Sequence, residues 1–304
     1  MGEPEWVGTS SGVRLAHEQI REAAPTELPL LISGEPGTGR YLAARTLHAL
    51  SGRRERPLVR VHCGALHPAQ AARVLFGDPR ASDRPARVHA REAAHLPRPT
   101  PAARLRVPYL LGGDAAASAP RVGGALRDAR GGTLFLDEVG QLPLVVQQEL
   151  LNHLPRPSAV EAAAAPVRLV ASTTSSLQRA AREGLVCPEL YYRLAIVPVH
   201  LEPLRERLED LPLLAAHFAR QFGMGSGDEP VDREALRELA AYAWPGNVWE
   251  LKSLFRRAAV LGGAAALTAP RVRTLLAEAP WMRGTQGPAS GKWGLSWSSL
   301  PGRN

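Results

Sequence analysis

The run Ile32-Ser33-Gly34-Glu35-Pro36-Gly37-Thr38-Gly39-Arg40-Tyr41 constrains the fold of this 304-residue chain more than any other stretch. Before it, Leu28–Ile32 is an apolar run that reads as a buried strand. After it, Leu42–His48 reads as a helix that continues to Leu50. Strand, glycine-rich turn and helix in that order is the layout of a phosphate-binding loop, with the pattern G-x-x-x-x-G-K-[ST]. Glycines let backbone N–H groups turn inward onto phosphate oxygens, and the helix N-terminus adds the positive end of its dipole. Gly34 and Gly39 keep the spacing, but Arg40 and Tyr41 stand where the pattern has Lys and Ser or Thr. Arg40 keeps the charge on a longer, planar fork, whereas a lysine ammonium is a compact point charge. The Tyr41 hydroxyl is too distant to replace a Ser or Thr on Mg²⁺. The plainer alternative is a glycine turn with no ligand, and the flanking strand and helix favour nucleotide ancestry.

A second stretch, Gly131-Gly132-Thr133-Leu134-Phe135-Leu136-Asp137-Glu138, reads as a strand ending in two carboxylates. In nucleotide hydrolysis such a pair divides the work. Asp137 can hold Mg²⁺ through water, and Glu138 can orient and deprotonate the attacking water. A solvated loop is the plainer reading of the same two residues. Strands are also expected at Pro57–Cys63, Val167–Thr174 and Ile196–Leu201, with helices at Val13–Ala24, Leu142–Leu154 and Leu177–Glu183. Strands alternating with helices imply an α/β sandwich with a mostly parallel sheet. From Leu211 the pattern is helical, at Leu211–Phe222, Asp232–Ala243, Val248–Leu261 and Thr268–Ala277, with Asp232 and Asn247 as N-caps. Residues 77–127 are dense in Pro and Arg without a sustained period and read as a long irregular insertion. Residues 281–304 read as a flexible tail.

The formal net charge is +8, which by itself hints at nucleic acid or an acidic surface. Of the 37 basic residues 35 are Arg, and together with abundant Ala, Pro and Gly this reads as a compositional bias, not a selected patch. Cys63 and Cys187 lie far apart, without metal-ligand spacing, which fits a reduced cytoplasmic protein. No apolar stretch approaches the roughly 18 residues of a membrane span, and the polar start Met-Gly-Glu-Pro-Glu-Trp is not a signal peptide.

Gly34–Arg40, Cys63, Leu75-Phe76-Gly77, Gly131–Glu138, Tyr191–Leu194, Pro203-Leu204-Arg205-Glu206-Arg207, Asp210–Leu214 and Trp244-Pro245-Gly246-Asn247-Val248 together resemble one family over about residues 6–279. They look like the central AAA+ domain of bacterial enhancer-binding proteins, the ATP-driven activators of sigma-54 RNA polymerase. The resemblance implies an AAA+ P-loop NTPase three-layer α/β sandwich at 1–205, a small helical lid at 206–280, and ATP with Mg²⁺ as cofactors. It implies self-association or co-assembly with related AAA+ subunits in a ring, usually a hexamer with ATP between subunits. By this likeness Val7 and Gly8 line the adenine pocket. Gly34, Glu35, Pro36, Gly37, Thr38, Gly39, Arg40 and Tyr41 hold phosphate, Asp137 serves the metal, Glu138 is the base, and Arg193 is the second of two arginine fingers.

Departures from the family cluster at the chemistry. Arg40 replaces the loop lysine, His62 the Asn that restrains the catalytic Glu, Thr174 the sensor Asn, Cys187 the first arginine finger, and Trp249 the lid arginine. The sigma-contacting Gly-Ala-Phe-Thr-Gly-Ala loop does not follow Gly77, which speaks against direct remodelling of sigma-54 polymerase, and the segment between Leu154 and Val167 looks shortened. No helix-turn-helix or receiver domain is expected in the chain. Loss of one arginine finger alone can reduce turnover by about 10³–10⁵. Two functions follow: an ATP-binding regulator of transcription with weak or lost hydrolysis, or a pseudo-ATPase scaffold that does not remodel the polymerase.

Overall fold

The computed structural model describes residues 5–77, 124–154, 167–225, 231–262 and 267–278. Most of the expected insertion, the shortened segment after Leu154 and the 281–304 tail lie outside these residues. Five strands form one parallel sheet in the order β2-β3-β4-β1-β5. They are β1 (Leu30–Gly34), β2 (Leu58–His62), β3 (Thr133–Asp137), β4 (Arg168–Thr173) and β5 (Val197–Leu201). β1 begins two residues later than its apolar run suggests. Leu28 is exposed, and Pro29 has no N–H to give to a ladder.

Alternation along these strands divides the core into two layers. Leu30 and Ile32, with Phe135, Val170 and Val199, pack on α1 (Ser11–Ala23) and α2 (Arg40–Leu50) through Ile20, Ala43 and Leu47. Leu31, Leu134, Leu136 and Ala171 face the other way, toward α3 (Pro68–Phe76), α5 (Leu144–His153), α6 (Leu177–Arg182) and α7 (Pro188–Leu194). Burying side chains such as Phe135 or Leu47 stabilises by about 1.5–3 kcal/mol each, and this two-sided burial gives the expected three layers. Arg168 on β4 is among the polar side chains buried in this core. Its fork donates to the Ala24 carbonyl at 2.8 Å and the Ala23 carbonyl at 2.7 Å, closing the open end of α1.

Helix α3 has no counterpart in the sequence reading. It begins on Pro68 at its first turn, a position where the missing N–H is harmless, and ends at Gly77. Gly77 lies against Gly124, the first residue of a short helix α4 (Gly124–Asp128). A Cβ on Gly124 would stand 2.3 Å from the Gly77 nitrogen, so this close approach requires glycine.

The chain divides into two compact units, one running to Leu214 and including Ala243–Leu251, the other containing Ala215–Tyr242 and the described residues from Lys252 on. The helices are α8 (Leu211–Gln221), α9 (Arg233–Ala240), α10 (Asn247–Gly262) and α11 (Ala269–Ala277). Within the second unit Leu239, Leu254, Phe255, Val272 and Leu275 are buried, and Val231 pairs with Leu267. Asp232 caps α9 as expected, accepting from the Ala235 N–H. Among the described residues no helix is long and apolar enough to cross a membrane.

Candidate nucleotide site

The sheet order puts β1 beside β4 and β4 beside β3, so the glycine loop and the carboxylate pair open on the same edge. Ligands of open α/β sheets bind at that carboxyl edge. The loop Gly34–Gly39 links β1 to α2. Gly37 has φ +82°, and a Cβ there would lie 2.1 Å from the Gly246 carbonyl oxygen, so both torsion and space demand glycine.

Three successive loop carbonyls are caught from outside. The Asn247 amide donates to the Pro36 carbonyl at 2.9 Å, the Trp249 N–H to Gly37 at 3.2 Å, and Arg207 to Thr38 at 3.2 Å. In a trans peptide C=O and the following N–H point in opposite directions. The N–H groups of Gly37 and Gly39 therefore face away from these donors, as a phosphate cradle requires. Asn247 also accepts from the Leu204 N–H at 2.7 Å, and Arg205 forks onto Glu35 at 2.7 and 2.5 Å. The Arg205 bonds hold the Glu35 carboxyl below the usual carboxylate range against the opposing effect of burial. The sequence predicts that Asn247 caps its own helix. Its φ of +53° and its bonds to Leu204 and Pro36 make it a bridge instead.

The carboxylate corner is built from both neighbours of β3. His62 on β2 is in register with Asp137. Asp137 Oδ1 accepts from the Ser172 hydroxyl of β4 at 2.6 Å, and Oδ2 accepts from Arg60 of β2 at 2.6 Å. Oδ2 also stands 3.4 Å from His62 Nδ1. Burial alone would raise the Asp137 carboxyl. The Ser172 hydroxyl with the Arg60 and Arg40 charges outweighs it and holds the group below its ordinary value. Glu138, at φ +60°, accepts on Oε2 from the Thr174 N–H at 3.1 Å and the Thr174 hydroxyl at 3.0 Å. Its Oε1 lies 2.6 Å from Arg40 Nη1, and Arg40 Nη2 is 3.7 Å from Asp137 Oδ1. The Arg60 guanidinium lies 4.4 Å above the Tyr41 ring, which packs on Phe135.

Mg²⁺ places strict demands on such an arrangement. The ion takes oxygen ligands at about 2.0–2.1 Å in near-ideal octahedral geometry. All four oxygens of Asp137 and Glu138 already have partners, two of them guanidinium groups at 2.6 Å. Among the described residues no cluster of His, Cys, Asp and Glu could hold a metal ion. As placed, Asp137 and Glu138 do not fit a directly ligated divalent cation.

Of the remaining expected residues, Val7 and Gly8 lead into α1, where buried Asp210 accepts from the Thr9 and Ser10 N–H groups at 2.6 and 2.8 Å. Arg193 lies on α7, pairs with Glu189 at 2.8 Å, and lines a cavity of about 400 Å³ with Cys187 and Asn152. The sequence reading gave Arg60, Arg205 and Arg207 no role in the site. The signal for the last two was their place in Pro-Leu-Arg-Glu-Arg, and for Arg60 its position two residues before the end of a strand beside β3.

A family described as the sigma-54 interaction domain matches residues 6–90 and 111–200, and one described as the AAA+ ATPase lid domain matches 205–284. The sigma54-dependent transcriptional activator SfnR of Pseudomonas putida is 35% identical over 266 residues, covering 85% of this chain and 63% of that protein. The anaerobic nitric oxide reductase transcription regulator NorR of Vibrio vulnificus is 36% identical over 267 residues, 86% of this chain and 46% of that one. The chain thus spans roughly half to two thirds of these relatives' length. Crystal structures of NtrX from Brucella abortus superpose with TM-scores of 0.66 in complex with ADP and 0.64 in complex with ATP. They are 26% and 28% identical, covering 91% and 89% of this chain and 57% and 56% of theirs. With its five-stranded parallel sheet, glycine loop and lid segment, the chain belongs to the sigma-54 interaction domain family of AAA+ P-loop NTPases.

Proposed function

We propose that this chain is an ATP-binding AAA+ domain of a sigma-54-linked transcription regulator, in which turnover of the bound nucleotide is very slow or lost. Binding rests on the cradle. Gly37 and Gly39 turn their N–H groups inward, and the N-terminus of the eleven-residue helix α2 faces the same space. The ATP and ADP complexes of NtrX, the structural relative, support the same ligand class.

The single observation that carries slow turnover is the state of Glu138. A general base must reach the water it deprotonates. Both Glu138 oxygens are engaged, one by Arg40 and the other by Thr174. Arg40 in turn must leave Glu138 to reach a phosphate oxygen. While paired, neither residue serves the in-line attack on the γ-phosphate. Cys187 and Trp249, where the family has arginines, withdraw further positive charge from the transition state, and such losses do not add simply because the residues act as a unit.

A second reading is a pseudo-ATPase scaffold that co-assembles with related AAA+ subunits in a ring. Arg193, beside Cys187 in its own cavity, favours it as the finger that would act on a neighbour's nucleotide. Calorimetric titration with ATP and a phosphate-release assay on the purified chain test the first reading. The expected result is saturable binding with release below about 0.01 s⁻¹, a median enzyme rate of about 10 s⁻¹ reduced by about 10³. Release near about 1 s⁻¹ would overturn slow turnover. Absence of binding would overturn the nucleotide reading and leave the scaffold.

A further inference from the structure

We propose that Arg40 and Arg60 take the place of a divalent cation at Asp137 and Glu138, so that this site binds a nucleoside polyphosphate in its metal-free form. The inference rests on the nucleotide-binding reading above and names the ionic form of its ligand.

The charge balance comes first. Asp137 and Glu138 are nearly enclosed, with side chains 6% and 14% exposed. Two such carboxylates beside a polyphosphate repel it strongly, because a low local dielectric weakens screening. A P-loop site ordinarily offsets them with Mg²⁺, held in part by the Ser or Thr hydroxyl that closes the loop pattern. Here two guanidinium groups contact the two carboxylates directly, one to each at 2.6 Å. Two positive charges meet two negative ones, and the local sum is zero without an added ion.

The geometry is fixed, not incidental. Arg60 lies above the Tyr41 ring at 4.4 Å while it donates to Asp137. A guanidinium stacks on an aromatic face in this way far better than an ammonium would. Tyr41 is itself packed on the fully buried Phe135 with ring centroids 5.7 Å apart. Tyr41, which follows Arg40 in the loop, is therefore the platform for the cation that replaces the metal. Ser172 and Thr174 complete the set by filling the remaining carboxylate oxygens with neutral donors. The Arg40 and Arg60 contacts, the second held over Tyr41, thus describe one substitution: organic cations for an inorganic one.

The test is calorimetric titration of the full chain with ATP, once in excess EDTA and once in excess magnesium chloride. The expected dissociation constants differ by less than about tenfold. Weakening of about tenfold or more in EDTA would overturn the cation replacement while leaving nucleotide binding intact. Absence of binding in both buffers would overturn both. Arg60→Met keeps the stem and removes the charge. Its affinity for ATP in EDTA is expected to fall by about tenfold and to recover in part with magnesium, once thermal melting has shown the variant folded. Equal affinity of Arg60→Met and the native chain in EDTA would count against the proposal.

Discussion

The two sides of the site use the same residue type in opposite ways. On the loop side, Arg205, Arg207 and Asn247 approach from behind and hold Glu35, Pro36 and Thr38, which leaves the cradle open. On the carboxylate side, Arg40 and Arg60 point inward and close the oxygens a metal or a water would use. An arginine outside a cradle positions it, and an arginine inside fills it. The binding half of the site keeps its shape while the chemical half is occupied.

The comparison breaks most sharply at Gly37. Gly37→Ala puts a Cβ against the Gly246 carbonyl at a positive φ. We expect the folded state to lose about 3 kcal/mol and ATP affinity to fall, read by chemical denaturation and calorimetry. An unchanged affinity would mean that the loop is no longer a cradle. Asn247→Ala acts on the same side more mildly. It leaves the Leu204 N–H and the Pro36 carbonyl without their partner, a loss of about 1–3 kcal/mol. The loop-side latch should weaken ATP binding without altering the ratio between EDTA and magnesium buffers, since the carboxylate corner is untouched.

Acidity probes the carboxylate side with a smaller effect, beside that of a buried group at the opposite, amino edge of the sheet. His48 on α2 is buried against the Thr133 hydroxyl at 2.9 Å, and burial, with a contribution from the Arg168 charge, pushes its pKa down. Its stabilising contribution is complete above the ordinary histidine value of about 6.5 and is lost as pH falls below it, because the unfolded chain takes the proton first. Asp137 is also depressed, but from a carboxylate value. Its contribution is complete above about pH 4 and is lost only as pH falls through its folded value. Melting temperatures measured from pH 7 to pH 3 should therefore decline in two stages, the first abolished by His48→Gln.

The architecture was largely legible in the sequence, and the electrostatics were not. The apolar runs into Gly34 and Asp137 gave β1 and β3 because fully buried parallel strands are continuous hydrophobic runs. Asp232 announced its helix by the capping rule. Arg60 escaped notice because its partner is 77 positions away and the pairing depends on β2–β3 register, which no local pattern encodes. Asn247 misled for a related reason. An Asn before a helix favours a cap, yet a partner 211 positions away at Pro36 took its side chain.

The most direct measurement compares phosphate release from ATP by the native chain and by Glu138→Gln. If Arg40 and Thr174 already hold Glu138 out of service, the two proteins release phosphate at the same background rate. ATP binds the variant more tightly, because Arg40 is then free for phosphate. Release by the native chain that falls to background in Glu138→Gln would show a working base and contradict the closed corner.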